Sequence, residues 1–168
     1  MIMLKNALRN APFCYISPIR VFEWLLIISC ICAGKGMIFK MKNLGYYNGK
    51  FGPLEEMMVP MNDRVCYFGD GVYDATYSRN GVIFALDEHI DRFFNSAGLL
   101  RIELPCTKDE MKDILNDMVS KVDSGNNFVY WQATRGTGIR NHAFPKEGKA
   151  NIWVTIKPAE VKDLSQRI

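Results

Sequence analysis

Three groups of residues have types and spacings that suit chemistry. Glu88-His89-Ile90-Asp91-Arg92 places two cation-capable groups, His89 and Arg92, three residues apart, which on a helix is one side. A guanidinium on such a side either joins local ion pairs on a solvated face or, turned into a cleft, offers its planar fork to a phosphate. Arg140-Asn141-His142 follows Thr134-Arg135-Gly136-Thr137-Gly138, a stretch too rich in glycine and charge for a core. In an extended segment residues two apart face the same way, so Arg140 and His142 can converge on one carboxylate or phosphate; a merely solvated loop is the alternative. Tyr73, Ala75 and Tyr77 share one face of a strand, with Val72, Asp74 and Thr76 on the other. A small residue between two phenols suits a pocket wall, although tyrosine is also simply a good sheet former.

These groups need a frame. Asn48-Gly49 between Asn43–Tyr47 and Lys50–Val59, and Asn80-Gly81 between Val72–Ser78 and Val82–Leu86, read as two hairpins, because Asn-Gly supplies the positive φ of two-residue turns. Met61–Gly71 is expected to be loop. Asp87 reads as a helix N-cap before Ile90, Phe93, Phe94, Ala97 and Leu100, one apolar face at helical spacing. Thr107 and Glu110 form a capping-box pattern before Met111, Ile114, Leu115, Met118 and Val122. Two more strands, Phe128–Thr134 and Asn151–Lys157, complete the order β-β-β-β-α-α-β-β. That order lacks a βαβ rhythm and predicts an α+β domain, an antiparallel sheet with two helices packed on one face.

Composition narrows the function classes. With 168 residues, 48% of them apolar and 23% charged, the chain suits one globular domain and not two. The net charge of +3 is concentrated before Met41, and the remainder holds 16 basic and 17 acidic residues, so a nucleic-acid-binding stripe is disfavoured. The five cysteines form no CxxC pair, and His89 and His142 are the only histidines, which supports neither a disulfide framework nor a metal site. Cys66 and Cys106 read as small buried hydrophobes.

Residues 1–40 read as a leader. Val21–Ala33 is almost wholly apolar with basic residues upstream, like a secretory signal, and Leu26-Ile27-Ile28-Ser29-Cys30 loosely matches a lipoprotein processing box. The run is short beside the roughly 20 apolar residues of a membrane span. Gly34-Lys35-Gly36 back-translates to a purine-rich stretch of the kind that precedes bacterial start codons, with Met37 and Met41 following, so a start assigned too far upstream is the favoured account. A genuine signal or anchor and a buried helical extension are the alternatives.

The order of the motifs is more specific than any one of them. Asp63-Arg64-x-x-x-Phe68-Gly69-Asp70-Gly71-Val72-Tyr73-Asp74, then Glu88-His89-Ile90-Asp91-Arg92, then Thr134-Arg135-Gly136 with Arg140-Asn141-His142, resembles the fold-type IV pyridoxal-phosphate enzymes, and within them the D-amino acid aminotransferases. The resemblance runs from about Gly45 to Lys157 and covers the family's smaller N-terminal domain, here residues 41–158. It implies that Arg92 holds the phosphate of pyridoxal 5'-phosphate and that Tyr73 lies in the pocket wall beside the substrate carboxylate. It also implies that Arg140 and His142 reach the α-carboxylate across a homodimer interface, in a cytoplasmic enzyme that converts D-alanine and 2-oxoglutarate to pyruvate and D-glutamate. Branched-chain aminotransferases and aminodeoxychorismate lyases share the fold and generally lack the Arg-x-His pair.

No catalytic residue is assigned. The family's Schiff-base lysine belongs to its larger C-terminal domain, and none of the twelve lysines matches its place. Residues 159–168 read as the start of an interdomain linker, and the chain alone is expected to be inactive. A standalone domain that binds a small anion or a protein through the same loop is the competing reading.

Overall fold

The computed structural model describes residues 40–145 and 148–160. The expected leader, apart from Lys40, and most of the expected linker lie outside them. Both Asn-Gly pairs turn as their composition requires, with φ of 46° and 89° at Asn48 and Gly49 and of 52° and 79° at Asn80 and Gly81. They join β1 (Leu44–Tyr47) to β2 (Lys50–Gly52) and β3 (Gly71–Arg79) to β4 (Val82–Ile83). With β5 (Asn126–Thr134) and β6 (Asn151–Pro158) these strands form one antiparallel sheet in the order β2-β1-β6-β5-β3-β4.

The sheet has two unlike faces. Its register aligns Leu44, Ile156, Val129 and Thr76 across one row, and Val154, Trp131 and Asp74 across the next. These side chains meet Ile90, Phe93 and Ala97 of α2 (Leu86–Leu99) and Met111, Leu115, Met118 and Val119 of α3 (Lys108–Ser120) in the core. Trp131 lies edge-on to Phe93 at 6.2 Å between ring centres. The α+β expectation, with two helices on one face, is what the fold shows. The opposite face carries Tyr73, Tyr77, Phe128, Tyr130 and Trp153, with ring centres of Tyr130 5.6 Å from Tyr73 and 5.4 Å from Trp153.

Six local expectations are corrected. The second strand does not run to Val59: Pro53 has no N–H to give the ladder, and Leu54–Glu56 forms a 3₁₀ turn. The loop Met61–Gly71 contains a helix, α1 (Arg64–Phe68), started by the Asp63 carboxylate accepting from the Val65 N–H and stopped by Gly69 at φ 63°. Asp87 is not an N-cap. Helix α2 begins at Leu86, after Ala85 at φ 47° with no side-chain cap, which also ends β4 at Ile83 rather than Leu86. Leu100, past the last helical turn, is exposed, and so is Cys66 on the one-turn α1, whereas Cys106 is half-buried with its thiol pushed up in pKa by burial and then by Glu110.

The capping box at α3 is complete, Thr107 Oγ1 accepting from the Glu110 N–H and Glu110 accepting from the Thr107 N–H at 2.7 Å. Thr107→Ala is therefore expected to cost about 1 kcal/mol in urea unfolding. Asp87→Ala, which removes only an exposed ion pair with Lys112, is expected to cost less than about 0.5 kcal/mol.

Candidate functional site

Two aspartates flank the start of β3, and each organises arginines. The first assembly begins one turn earlier, at Asp63, which is fully buried. Its Oδ1 caps α1, while its Oδ2 accepts from Thr134 Oγ1 at 2.9 Å and Asn151 Nδ2 at 2.8 Å, tying α1 to the ends of β5 and β6. Arg64, 4% exposed, therefore points inward. Its Nε donates to Asp70 Oδ2 at 2.7 Å, and its Nη1 to the carbonyls of Asn141 and Ala143 at 2.8 and 3.4 Å. Arg135 reaches the same Asp70 carboxylate at 2.9 and 3.0 Å and donates to the carbonyls of Arg101 and Leu100. Burial raises the Asp70 pKa, but hydrogen bonds and charge from Arg135 and Arg64 outweigh it and hold the carboxyl below its ordinary value.

Gly136 lets the chain leave this cluster. It has φ of 98°, and a Cβ there would lie 2.2 Å from the Lys149 carbonyl, so no other residue fits. From Gly136 the backbone pairs with the α1 entry, Arg64 N–H to Gly136 O at 2.9 Å and Gly138 N–H to Asn62 O at 2.9 Å. The segment that follows is not an extended strand. It turns at Asn141, whose side chain accepts from the Ala143 N–H, and still brings Arg140 and His142 together on the Phe68 ring. The Arg140 guanidinium carbon and the His142 ring centre each lie 5.3 Å from the centre of that ring. Both side chains belong to exposed residues, and among the described residues neither has a carboxylate partner.

The second assembly is built on Asp74, whose side chain is 1% exposed on the helix face of β3. Arg92, on α2, donates to it through Nε at 2.8 Å and Nη2 at 2.6 Å, and His89 Nδ1 lies 2.9 Å from Asp74 Oδ1. The helical spacing expected for His89 and Arg92 thus converges on one carboxylate. Burial raises the Asp74 pKa, while hydrogen bonds from Arg92, His89 and the Ala75 N–H lower it further than that; the Asp74 hydrogen bond in turn pushes Arg92 up. The Arg92 side chain is 63% exposed, and its Nη1 has no partner among the described residues. Strand β4 pairs only with Ser78 and Arg79, so among the described residues no strand pairs with the edge of β3 beside Asp74. Tyr73, exposed, lies on the opposite sheet face, stacked on Tyr130, whose phenol burial and then Tyr73 push up in pKa.

Sequence reasoning singled out Arg92, Tyr73, Arg140 and His142 and missed what positions them: Arg64, Phe68, Asp70, Asp74 and Arg135. The signal for Asp74 was there. A carboxylate alternating with Val72 and Thr76 on a core-facing strand needs a cation beside it.

Residues 71–168 match the family model described as amino-transferase class IV, and the chain belongs to that family. It is similar to the D-alanine aminotransferase of Staphylococcus haemolyticus, 36% identical over 100 residues, 60% of this chain and 36% of that protein. The D-alanine aminotransferase of Listeria monocytogenes is 37% identical over 108 residues, 64% of this chain and 37% of that one. The chain thus spans little more than a third of the length of these curated relatives. Among solved structures, a T.th. branched-chain amino acid aminotransferase with pyridoxamine 5'-phosphate superposes with a TM-score of 0.68 at 22% identity, over 77% of this chain and 43% of that one. The Escherichia coli branched-chain amino acid aminotransferase gives 0.66 at 17%, over 71% and 42%. At those identities the likeness is one of fold.

Asp70→Asn keeps the shape of the cluster and leaves two buried arginines without a counter-charge, so it is expected to destabilise by about 3 kcal/mol near neutral pH. Because folding lowers the Asp70 pKa, its stabilisation is complete above the ordinary value of 3.8 and is lost as pH falls through the lower folded value. Thermal midpoints of parent and variant should therefore differ most at pH 7 and converge below pH 3.8.

Proposed function

We propose that this chain is the anion-gripping part of a D-amino acid aminotransferase, with Arg92 for the phosphate of pyridoxal 5'-phosphate and Arg140 with His142 for the substrate α-carboxylate. The observation that carries the reading is that Arg140 and His142 both approach the Phe68 ring, two cation-capable groups without a carboxylate partner among the described residues.

The residues present fit the cofactor's phosphate. Asp74 takes one edge of the Arg92 guanidinium and fixes its plane, while Nη1 has no partner among the described residues on a side chain that is largely exposed. Tyr73 adds an exposed ring on the other face of the same strand. When bound, the cofactor's pyridine ring serves as the sink for electrons released at the substrate Cα. Arg140 and His142 orient the substrate by its carboxylate, which fixes the Cα that must lose its proton. None of the described lysines is buried, so the nucleophilic lysine of the reaction is assigned to sequence outside the described residues. Arg140 and His142 are read as completing the site of a second copy in a homodimer. The identity to D-alanine aminotransferases and the Arg-x-His pair support the D-amino acid reading over the branched-chain one, which rests on fold alone.

In the full gene product, Arg92→Ala is expected to weaken pyridoxal phosphate binding on the order of 10- to 100-fold, the worth of a hydrogen bond to a charged group. Arg140→Ala and His142→Ala are expected to raise KM for D-alanine while leaving cofactor affinity near the parental value. A cofactor titration of Arg92→Ala that overlays the parent, with the fold intact, removes the phosphate assignment; parental D-alanine kinetics in both loop variants removes the carboxylate assignment. Faster turnover of L-leucine than of D-alanine would favour the branched-chain reading.

A further inference from the structure

We propose that Arg64, seated on Phe68, is the positioning residue that holds Arg140 and His142 in carboxylate-binding geometry. The inference rests on the reading of those two residues given above and assigns what sets their shape.

Arg64 is the side chain that touches both the rigid body and the loop backbone. Its Nε is fixed by Asp70, which Arg135 holds from the other side, and its Nη1 donates to the carbonyls of Asn141 and Ala143. Those two carbonyls bracket His142, and the first follows Arg140 directly. A donor shared between them fixes the turn at the residue whose ring must face the ligand. The guanidinium carbon also lies 4.9 Å from the centre of the Phe68 ring, the same ring that Arg140 and His142 approach at 5.3 Å. Phe68 ends α1 and Arg64 begins it, so the one-turn helix sets the ring and the guanidinium relative to each other.

The arrangement also answers an electrostatic difficulty. Arg64 and Arg140 are both cations near one ring, and two like charges at such range repel. Asp70 offsets the charge of the buried one, and the backbone bonds from Arg64 hold the loop in place against what repulsion remains. Arg140, which has no protein hydrogen bond among the described residues, then keeps its donors available for an anion. Shape rather than charge is the contribution of Arg64. A lysine would keep the charge, but one compact ammonium cannot serve Asp70 and two separate carbonyls in fork geometry.

The test compares Arg64→Lys with Arg140→Ala in the full gene product. Arg64→Lys is expected to raise KM for D-alanine roughly tenfold, with kcat at saturating D-alanine changed less than about threefold and pyridoxal phosphate affinity within about twofold. Amide exchange should quicken across residues 137–144 and stay parental in β3 and β5. Combined with Arg140→Ala, the lysine should add little further loss, because both act on one contact. Fully additive losses, or a parental KM in Arg64→Lys beside a raised KM in Arg140→Ala, overturn the role of Arg64 alone. A parental KM in Arg140→Ala overturns the carboxylate reading on which it rests. Should Arg64→Lys fail to fold, Phe68→Leu decides: a raised KM with parental cofactor affinity supports the cradle, and a parental KM overturns it.

Discussion

Asp70 accepts hydrogen bonds from Arg64 and Arg135 at once, and the placement of the loop depends on that carboxylate. Two guanidinium groups this buried would repel and lose their hydration without it. With it, their remaining donors are released for backbone: Arg135 takes the carbonyls of Leu100 and Arg101 after α2, and Arg64 takes those of Asn141 and Ala143. Four stretches of chain distant in sequence therefore meet at one side chain. The fully buried Asp63 beside it makes the arrangement rigid by anchoring α1 to both Thr134 and Asn151.

Strand β3 transmits this order to the second assembly. Asp70 stands just before it and Asp74 within it, and the β3–β5 register from Gly71 opposite Thr134 to Arg79 opposite Asn126 fixes which residues face the helices. A slip of one residue would send Asp74 to the open face and Tyr73 into the core, parting Arg92 from its carboxylate. Register is thus set from both ends, by the Asp63–Thr134 contact and by the Asn80-Gly81 turn.

The sheet and both long helices were legible because each rests on local rules, while the four candidate site residues were picked out by the order of the motifs and the resemblance it carries. Asn-Gly turns, the Thr107 box and the alternation of Tyr73, Asp74 and Ala75 need no tertiary partner to be read. What was not legible depended on partners far along the chain. Arg64 and Asn141 lie 77 residues apart, and nothing in the spacing of either says that they touch. Helix α1 was within reach, since Asp63 and Gly69 are a cap pair, but five residues carry too little periodicity to announce a helix. The start of α2 was misplaced because Ala85 adopts a positive φ that its side chain does not advertise.

Unspent donors distinguish the arginines that are tied into the frame from those with capacity left over for an anion. Every nitrogen of the Arg135 side chain is engaged, and Arg64 gives Nε and Nη1 to protein. Arg92 gives one edge and keeps Nη1, and Arg140 has no protein hydrogen bond among the described residues. Capacity for an anion rises in that order, and the two arginines with the most spare donors, Arg92 and Arg140, are the exposed ones. An exposed guanidinium gains little from an anion while water surrounds both. Tight capture therefore requires that water be excluded, and on the face of the sheet away from the helices the exposed Tyr73, stacked on the half-buried Tyr130, offers apolar area that a covering partner would bury. The fold thus separates its tasks by face: core and carboxylate anchors on the helix side, and on the other a surface whose value depends on being covered.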